Sequence, residues 1–233
     1  MIYDTLATYY DALVKDDEAT EDWLKWIYSK KPGKKILELA CGSGEITNQL
    51  AKDGYQVTAL DLSGEMVERA KEKDHSHLIQ FYVQNMLDLS NLGKFNAVTC
   101  LCDSFNYILE KKDVISFFEQ VQAHLEEDGL FFFDMHSLDR LEEFAEEFNE
   151  IGEFEDGCQC QWSIMAEDEL IYQDFAFYQG NHTMQEHHIQ RVYDPKWIQI
   201  QLEKYFTIEK ITTDFDQEGI CEGEKYFYIC RKK

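Results

Sequence analysis

From residue 35 to residue 134, short continuous apolar runs alternate with segments whose apolar residues recur at helical spacing. The runs 35–39, 56–60, 79–83, 97–102 and 130–134 have strand length, while 44–52 and 64–73 read as helices between the first three. Such βαβαβ alternation predicts a parallel sheet. The run 97–102 is nearly all apolar, as a central strand covered on both faces requires. Val114, Phe117, Phe118, Val121 and Leu125 predict a further helix, and Glu126-Glu127-Asp128-Gly129 a turn back into the sheet.

The flanks follow other patterns. Residues 1–30 read as two helices, the second carrying Trp23, Trp26 and Ile27 behind a cap at Thr20, with Pro32-Gly33 ending the section. After the fifth strand, Leu138, Leu141, Phe144, Ala145 and Phe148 predict one face of an acidic amphipathic helix over 137–150. Alternating segments 159–165, 170–178 and 184–193 then predict an antiparallel meander, an insert over 151–193. Asp194-Pro195 supplies a cap and a first-turn proline for a helix with Ile198, Leu202 and Tyr205 on one face. The closing strands 206–212 and 226–230 leave no room for a crossover helix and therefore pair antiparallel. The whole reads as one α/β domain over 1–233.

Charge narrows the function. With 22 Lys and Arg against 46 Asp and Glu, the net charge of −24 repels phosphate backbones and anionic headgroups, so no nucleic-acid or membrane partner is expected. No apolar run approaches the ~20 residues of a membrane span and Met1-Ile2-Tyr3-Asp4 opens no signal sequence, which predicts a cytoplasmic protein. Residues 137–174 hold thirteen acids and one base, Arg140, most simply a solvated face. The seven cysteines form two Cys-x-Cys pairs, 100/102 and 158/160, each sharing a strand face as small buried thiols. His187 and His188 point to opposite faces of their strand, and no metal is expected.

Candidate chemistry begins where the first strand runs into Ile36-Leu37-Glu38-Leu39-Ala40-Cys41-Gly42-Ser43-Gly44 and then a helix. Gly-x-Gly in that place offers backbone N–H groups and close approach to a ligand. Glu38 precedes the glycines, and Asp61 ends the next strand, where an acid accepts hydrogen bonds from ribose hydroxyls. The competing reading is a dinucleotide site. Thr47 stands where its third glycine belongs, and Glu45 places negative charge beside a pyrophosphate, whereas a sulfonium cation tolerates acids.

These residues, with Val57-Thr58-Ala59-Leu60-Asp61-Leu62-Ser63-Gly64-Glu65-Met66, resemble class I S-adenosylmethionine-dependent methyltransferases over residues 35–135. The resemblance implies a Rossmann-like, seven-stranded, mostly parallel sheet with an antiparallel last strand, plus a small antiparallel β insert, and S-adenosyl-L-methionine as cofactor. It implies cofactor contacts from Glu38, Ala40, Cys41, Gly42, Gly44, Asp61, Leu62 and Met66. Gln84-Asn85-Met86 then sits beside the adenine, and Leu101-Cys102-Asp103 approaches the methionine part. Ala40 replaces the usual first glycine and Asn85 a common aspartate. Tyr9-Tyr10-Asp11 and the meander resemble small bacterial members in which an N-terminal helical lid, here 1–30, closes over the cofactor and an insert covers the substrate; Tyr10 is the cofactor contact expected from that lid.

Methyl transfer is an in-line displacement that asks mainly for alignment, desolvation and, where needed, a base. The resemblance brings the nucleophile in above the fourth and fifth strands, near Asp103, Asn106, Tyr107 and His136, with Tyr9 or Tyr10 from the lid. His136 is the candidate base, because imidazole titrates near neutrality; the alternative is a hydrogen-bonded loop histidine. Arg191 is placed either on a substrate carboxylate or phosphate, or in pairs with the surrounding acids. Cys102-Asp103-Ser104-Phe105-Asn106-Tyr107 replaces the Asn/Asp-Pro-Pro-aromatic grip of nucleic-acid and protein methyltransferases. The expectation is therefore methylation of O or N on a small molecule by a monomer or homodimer, with a catalytically silent cofactor-binding regulator as the alternative.

Overall fold

The computed structural model describes residues 9, 13, 16–76 and 78–233. The first of the two N-terminal helices expected from the sequence lies mostly outside them, as does Tyr10. Helix α1 (Asp17–Tyr28) is capped by Asp16, whose carboxylate accepts from the amides of Glu18 and Ala19. Thr20 is thus not the cap but lies one turn in, its hydroxyl donating to the Asp16 carbonyl. An ionised acceptor against the helix dipole outcompetes a hydroxyl for that place.

The alternating segment forms β1 (Lys35–Leu39), α2 (Glu45–Lys52), β2 (Gln56–Asp61), α3 (Gly64–Glu72), β3 (Ile79–Val83), β4 (Phe95–Cys100), a 3₁₀ turn (Ser104–Tyr107), α4 (Lys111–His124) and β5 (Leu125–His136). Next come α5 (Asp139–Glu143), β6 (Phe148–Glu153), β7 (Gln159–Glu167), β8 (Leu170–Gln179) and β9 (His182–Arg191). The chain closes with α6 (Pro195–Leu202), β10 (Phe206–Thr213), β11 (Gln217–Glu218) and β12 (Lys225–Lys232). The main sheet has the order β11-β10-β12-β5-β4-β1-β2-β3, and β6-β7-β8-β9 make a second, antiparallel sheet. Strands β1 to β5 are parallel, β12 runs against β5, and β10 pairs antiparallel with β12. Two-residue β11 adds an eighth strand to the expected seven.

Alternation along β5 and β12 builds two cores. Phe131, Phe133 and Tyr228 face α4 and α6, joining Phe117, Phe118, Ile198 and Leu202. Phe132, Phe227 and Ile229 face the other way, under Trp23, Trp26 and Ile27 of α1 and Leu50 of α2. Trp26 meets Phe132 edge-on with centroids 5.3 Å apart, and Phe133 stacks on Tyr228 at 4.8 Å. The Glu126-Glu127-Asp128-Gly129 turn is a swelling inside one longer strand: Phe95 pairs with Leu125 and Ala97 with Leu130, so the four residues between leave the ladder.

Three further expectations are corrected. The acidic helix predicted over 137–150 ends at Glu143. Phe144 is buried with Ile164, Ile171 and Val192, and its carbonyl accepts from the Ala166 amide at 2.8 Å, which draws the chain onto the second sheet; Phe148 then starts β6. Burying one aromatic ring against three aliphatic side chains wins over helix propagation in a short segment. The insert accordingly begins at residue 148, before 151. Cys102 does not share a strand face with Cys100: β4 ends at Cys100, and Cys102 turns out at φ 55.

Packing of this kind makes Phe133, fully buried between Phe131 and Tyr228, the costly position. Phe133→Ala is expected to lose about 3–5 kcal/mol of unfolding free energy in urea. Ile151→Ala, at a side chain 77% exposed on the edge strand β6, is expected to stay within about 0.5 kcal/mol of the parent.

Candidate active site

Two turns face each other where strand order reverses. β1 and β4 are neighbours, but the chain leaves β1 toward β2 and leaves β4 toward β5, so a crevice opens beyond their carboxyl ends. The turn after β1 passes through Ala40 (φ 54), Gly42 (φ 54) and Gly44 (φ 80); the turn after β4 passes through Cys102 (φ 55) and Asp103 (φ 51). Left-handed backbone suits glycine and strains other residues, so these turns need external restraint. Each receives it from a buried carboxylate on the next strand outward. Asp61 of β2 accepts from the Gly42 amide at 2.8 Å and from the Ser63 amide at 2.9 Å. Asp134 of β5 accepts from the Asp103 amide at 2.8 Å.

The glycine that allows close helix packing is Gly44, where a Cβ would stand 2.7 Å from the Cβ of Ala70 on α3. Thr47 takes another role: its hydroxyl donates to Glu38 Oε2 at 2.6 Å. Burial pushes the Glu38 carboxyl up to about 7, against the pull of this hydrogen bond. Burial also raises Asp61, against the amides of Ser63, Gly42 and Leu62. Glu45 is paired with Lys73 at 2.6 Å, and Lys73 also reaches Ser43 Oγ at 3.1 Å.

A cavity of about 330 Å³ occupies the crevice, walled by Ala40, Gly42, Asp61, Leu62 and Met66 on one side, by Asn85 and Met86 after β3, and by Cys102, Tyr107, His187 and Ile189 opposite. A smaller one of about 140 Å³ lies beside it against α1, with Glu38, Cys41, Gly44, Leu101 and Trp23 in its wall. Ala40, Gly42, Cys102 and Ser104 line both. The walls of the two cavities contain no Lys or Arg among the described residues. A crevice lined by acids at a switch point, over glycine turns and without cations, suits a cationic nucleoside and lacks what a pyrophosphate needs.

The remaining expected residues stand behind the cavity walls. Asp103 accepts from Lys225 of β12 and, at 3.0 Å, from Gln190 Nε2 of β9. Burial alone raises Asp103, but the Lys225 ammonium overcomes it and holds the carboxyl below the usual range. Burial pushes Asp134 up to about 7 despite Lys225 at 3.8 Å. His136, expected as the base, is 5% exposed and its Nε2 lies 3.0 Å from Gln190 Oε1. Gln190 points its nitrogen at Asp103, so its oxygen accepts from His136 and His136 carries its hydrogen on Nε2. Burial lowers the His136 pKa. Asn106 ties the Arg191 carbonyl at 2.7 Å to the His136 amide at 3.0 Å. Arg191 donates to the Leu109 carbonyl at 2.7 Å and pairs with Glu169, the pairing weighed above against a substrate role. Tyr9 stacks on Phe154 at 4.4 Å and Phe177 at 5.2 Å and donates to Asp156, inside the insert's own core. Sequence reasoning missed Ser104, His187, Ile189 and Lys225; only the alternation of β9 carried a signal for His187 and Ile189, placing them on one face.

Residues 36–129 match the family model described as a methyltransferase domain. A protein of Bacillus subtilis (strain 168), YqeM, named provisionally as a methyltransferase, is 35% identical over 242 residues, covering 100% of this chain and 98% of its own. The crystal structure of an S-adenosylmethionine-dependent methyltransferase from Clostridium acetobutylicum ATCC 824 is 26% identical, with a TM-score of 0.84 over 99% of this chain and 98% of that one. The sugar N-methyltransferase KedS8 from Streptoalloteichus sp ATCC 53650 shares the fold with a TM-score of 0.79 at 16% identity, over 100% of this chain and 93% of its own. Fold and crevice define a Rossmann-like enzyme that uses S-adenosylmethionine. The chain belongs to the class I S-adenosylmethionine-dependent methyltransferases.

The raised Glu38 carboxyl has a consequence for stability. Its folded value, about 7, lies above the unfolded one, so its contribution is present in acid and is lost as pH rises through 7. Glu38→Gln, which mimics the neutral acid, is expected to leave stability at pH 5 nearly unchanged and to raise it at pH 8 by about 2–3 kcal/mol. Urea unfolding of the ligand-free protein at both pH values checks this, and equal effects at the two would count against a neutral Glu38.

Proposed function

We propose that this methyltransferase acts on an oxygen or nitrogen of a small molecule held in the larger cavity, beside Tyr107, His187 and Ile189. The observation that carries the reading is a pair of adjoining cavities with no Lys or Arg in their walls among the described residues and an acid in each, Glu38 in the smaller, suited to the methionine part, and Asp61 in the larger, suited to adenosine and acceptor. When bound, S-adenosylmethionine supplies a methyl carbon made electrophilic by its sulfonium. The chain's own residues do the rest. Asp61, already oriented by two amides, offers its carboxylate to the ribose hydroxyls. Glu38, oriented by Thr47, balances the positive charge of the methionine part, while Cys41, Gly42 and Gly44 give it backbone. Leu62, Met66, Asn85 and Met86 form the adenine's surroundings, and Leu101 and Cys102 close the crevice from the β4 side. Asp103, Asn106, His136 and Arg191 act from behind the wall, by holding the β4 turn and β9 in place.

Alignment and exclusion of water are the main catalytic contributions open to such a site. Titration calorimetry tests the donor half of the proposal. Asp61→Ala is expected to weaken S-adenosylmethionine binding by about 1–3 kcal/mol, the worth of hydrogen bonds to a charged acceptor. Unchanged affinity in this variant sinks the ribose assignment. Affinity in the parent is also expected to fall as pH drops below 7, because the ligand's cation favours ionised Glu38, and this dependence is expected to vanish in Glu38→Gln. A methyl-transfer screen with labelled donor across alcohols, phenols, amines and carboxylic acids tests the acceptor half.

A further inference from the structure

Among the described residues, the walls of the two cavities hold several acids but a single imidazole, that of His187. Burial alternates along β9, hiding Glu186, His188 and Gln190 and leaving His187 and Ile189 on the open face of the second sheet, where both line the larger cavity. Asp174 of β8 lies directly across the ladder from His187, and its Oδ1 accepts from His187 Nδ1. A carboxylate only accepts, so in the neutral imidazole the hydrogen sits on Nδ1 and the lone pair on Nε2. That nitrogen has no hydrogen-bond partner among the described residues. The His187 side chain is 71% exposed although it lines the cavity, which puts it at the rim, where a proton taken from inside can pass to water. Other groups that could take a proton are already engaged: Glu38 with Thr47, Asp61 with two backbone amides. His136, the base expected from the sequence, stands behind the wall with its Nε2 against Gln190.

We propose that His187, oriented by Asp174, is the general base of methyl transfer. The proposal rests on the reading of the larger cavity as the acceptor site. His187 stands in the wall opposite Asp61, Leu62 and Met66, the side assigned to the donor. The acceptor oxygen or nitrogen forms its bond to the methyl carbon, the carbon–sulfur electron pair stays on sulfur, and the acceptor's proton passes to His187 Nε2. The imidazolium then carries hydrogen on both nitrogens, with the Asp174 carboxylate beside Nδ1 to balance its charge, and releases the proton to solvent at the rim. A carboxylate that fixes the tautomer of an imidazole, and so presents a bare nitrogen to the reacting group, is the arrangement general-base catalysis requires.

Two measurements test the assignment. In the full-length, ligand-free protein with ¹⁵N-labelled imidazoles, neutral His187 at mildly alkaline pH is expected to carry hydrogen on Nδ1 with a bare Nε2. In Asp174→Ala it is expected to relax toward the tautomer mixture of a free imidazole. Hydrogen on Nε2 in the parent, or no response to that substitution, overturns the proposal without any acceptor being known. An exposed pair of this kind adds little to stability, so His187→Ala is expected to keep the parent's urea midpoint and, by calorimetry, its S-adenosylmethionine affinity. In the labelled-donor screen, with whichever acceptor the parent methylates, this variant is expected to lose about 10²–10⁴-fold in kcat with little change in KM. Activity is expected to return in proportion to imidazole added to the buffer, because a free base replaces a missing one but does not repair a displaced strand. Parental kcat, a rise in KM alone, or a loss that imidazole does not restore overturns the proposal. A parent protein that fails to bind S-adenosylmethionine, or binds it and methylates none of the acceptor classes, strikes instead at the reading of the cavity beneath it.

Discussion

The constraint on which the site depends is the burial of carboxylates at the carboxyl ends of the central strands. Asp61 on β2 restrains the turn after β1, and Asp134 on β5 restrains the turn after β4. The two strands bearing these acids flank β1 and β4 from outside, so the crevice is held open by a pair of braces arranged symmetrically about the switch point. Removing a carboxylate from water is expensive, and the raised pKa values of Asp61 and Asp134 express that cost. The compensation is geometric: backbone at φ 51 to 55 on Ala40, Gly42, Cys102 and Asp103 is held where a relaxed chain would not stay. Three of these residues, Ala40, Gly42 and Cys102, line both cavities.

Lys225 links this brace to the far end of the chain. It reaches Asp103 across 122 residues of sequence and stands 3.8 Å from Asp134, so one ammonium serves two carboxylates that would otherwise repel each other. Gln190 and His136 extend the same network into the second sheet, since Gln190 Oε1 accepts from both His136 and Gln173. Buried polar contacts therefore help attach the insert to the crevice. Every donor around the Gln190 amide faces an acceptor, which makes the register of β9 specific: a one-residue slip would exchange His188 and Gln190 for His187 and Ile189.

The parallel core was legible because central strands must be apolar on both faces, and continuous runs such as 97–102 leave little else to read. Glu38, the glycines and Asp61 were legible for a related reason: they are local, within one βαβ unit. What was not legible is long-range. Nothing in the neighbourhood of Lys225 marks it as the partner of Asp103, and period-two patterning places Glu186, His188 and Gln190 on a common face without saying which face is buried. The acidic stretch after β5 misled because its helical spacing was real, but Phe144 found a better apolar surface on the second sheet than a helix could provide. His136 illustrates the limit for site residues, since its position at a strand end was inferred correctly while the partner that occupies its Nε2 lies 54 residues downstream.

Charge ties the crevice to its chemistry. A net charge of −24 spread over the surface attracts small cations and cationic nucleosides toward any opening, and the cavity walls add Asp61 and Glu38 without a counter-cation. The positive charges nearest the crevice are already committed: Lys73 to Glu45, Lys225 to Asp103, Arg191 to Glu169. An anionic dinucleotide would meet repulsion here, whereas under the proposed assignment a sulfonium-bearing ligand would favour ionisation of the Glu38 carboxyl, which burial pushes up to about 7. Transfer of the methyl group removes the sulfonium charge, so the product forfeits part of the attraction that drew the donor in. If Glu38 and Asp61 hold the donor as proposed, the same acids would also favour its release once the methyl group has gone.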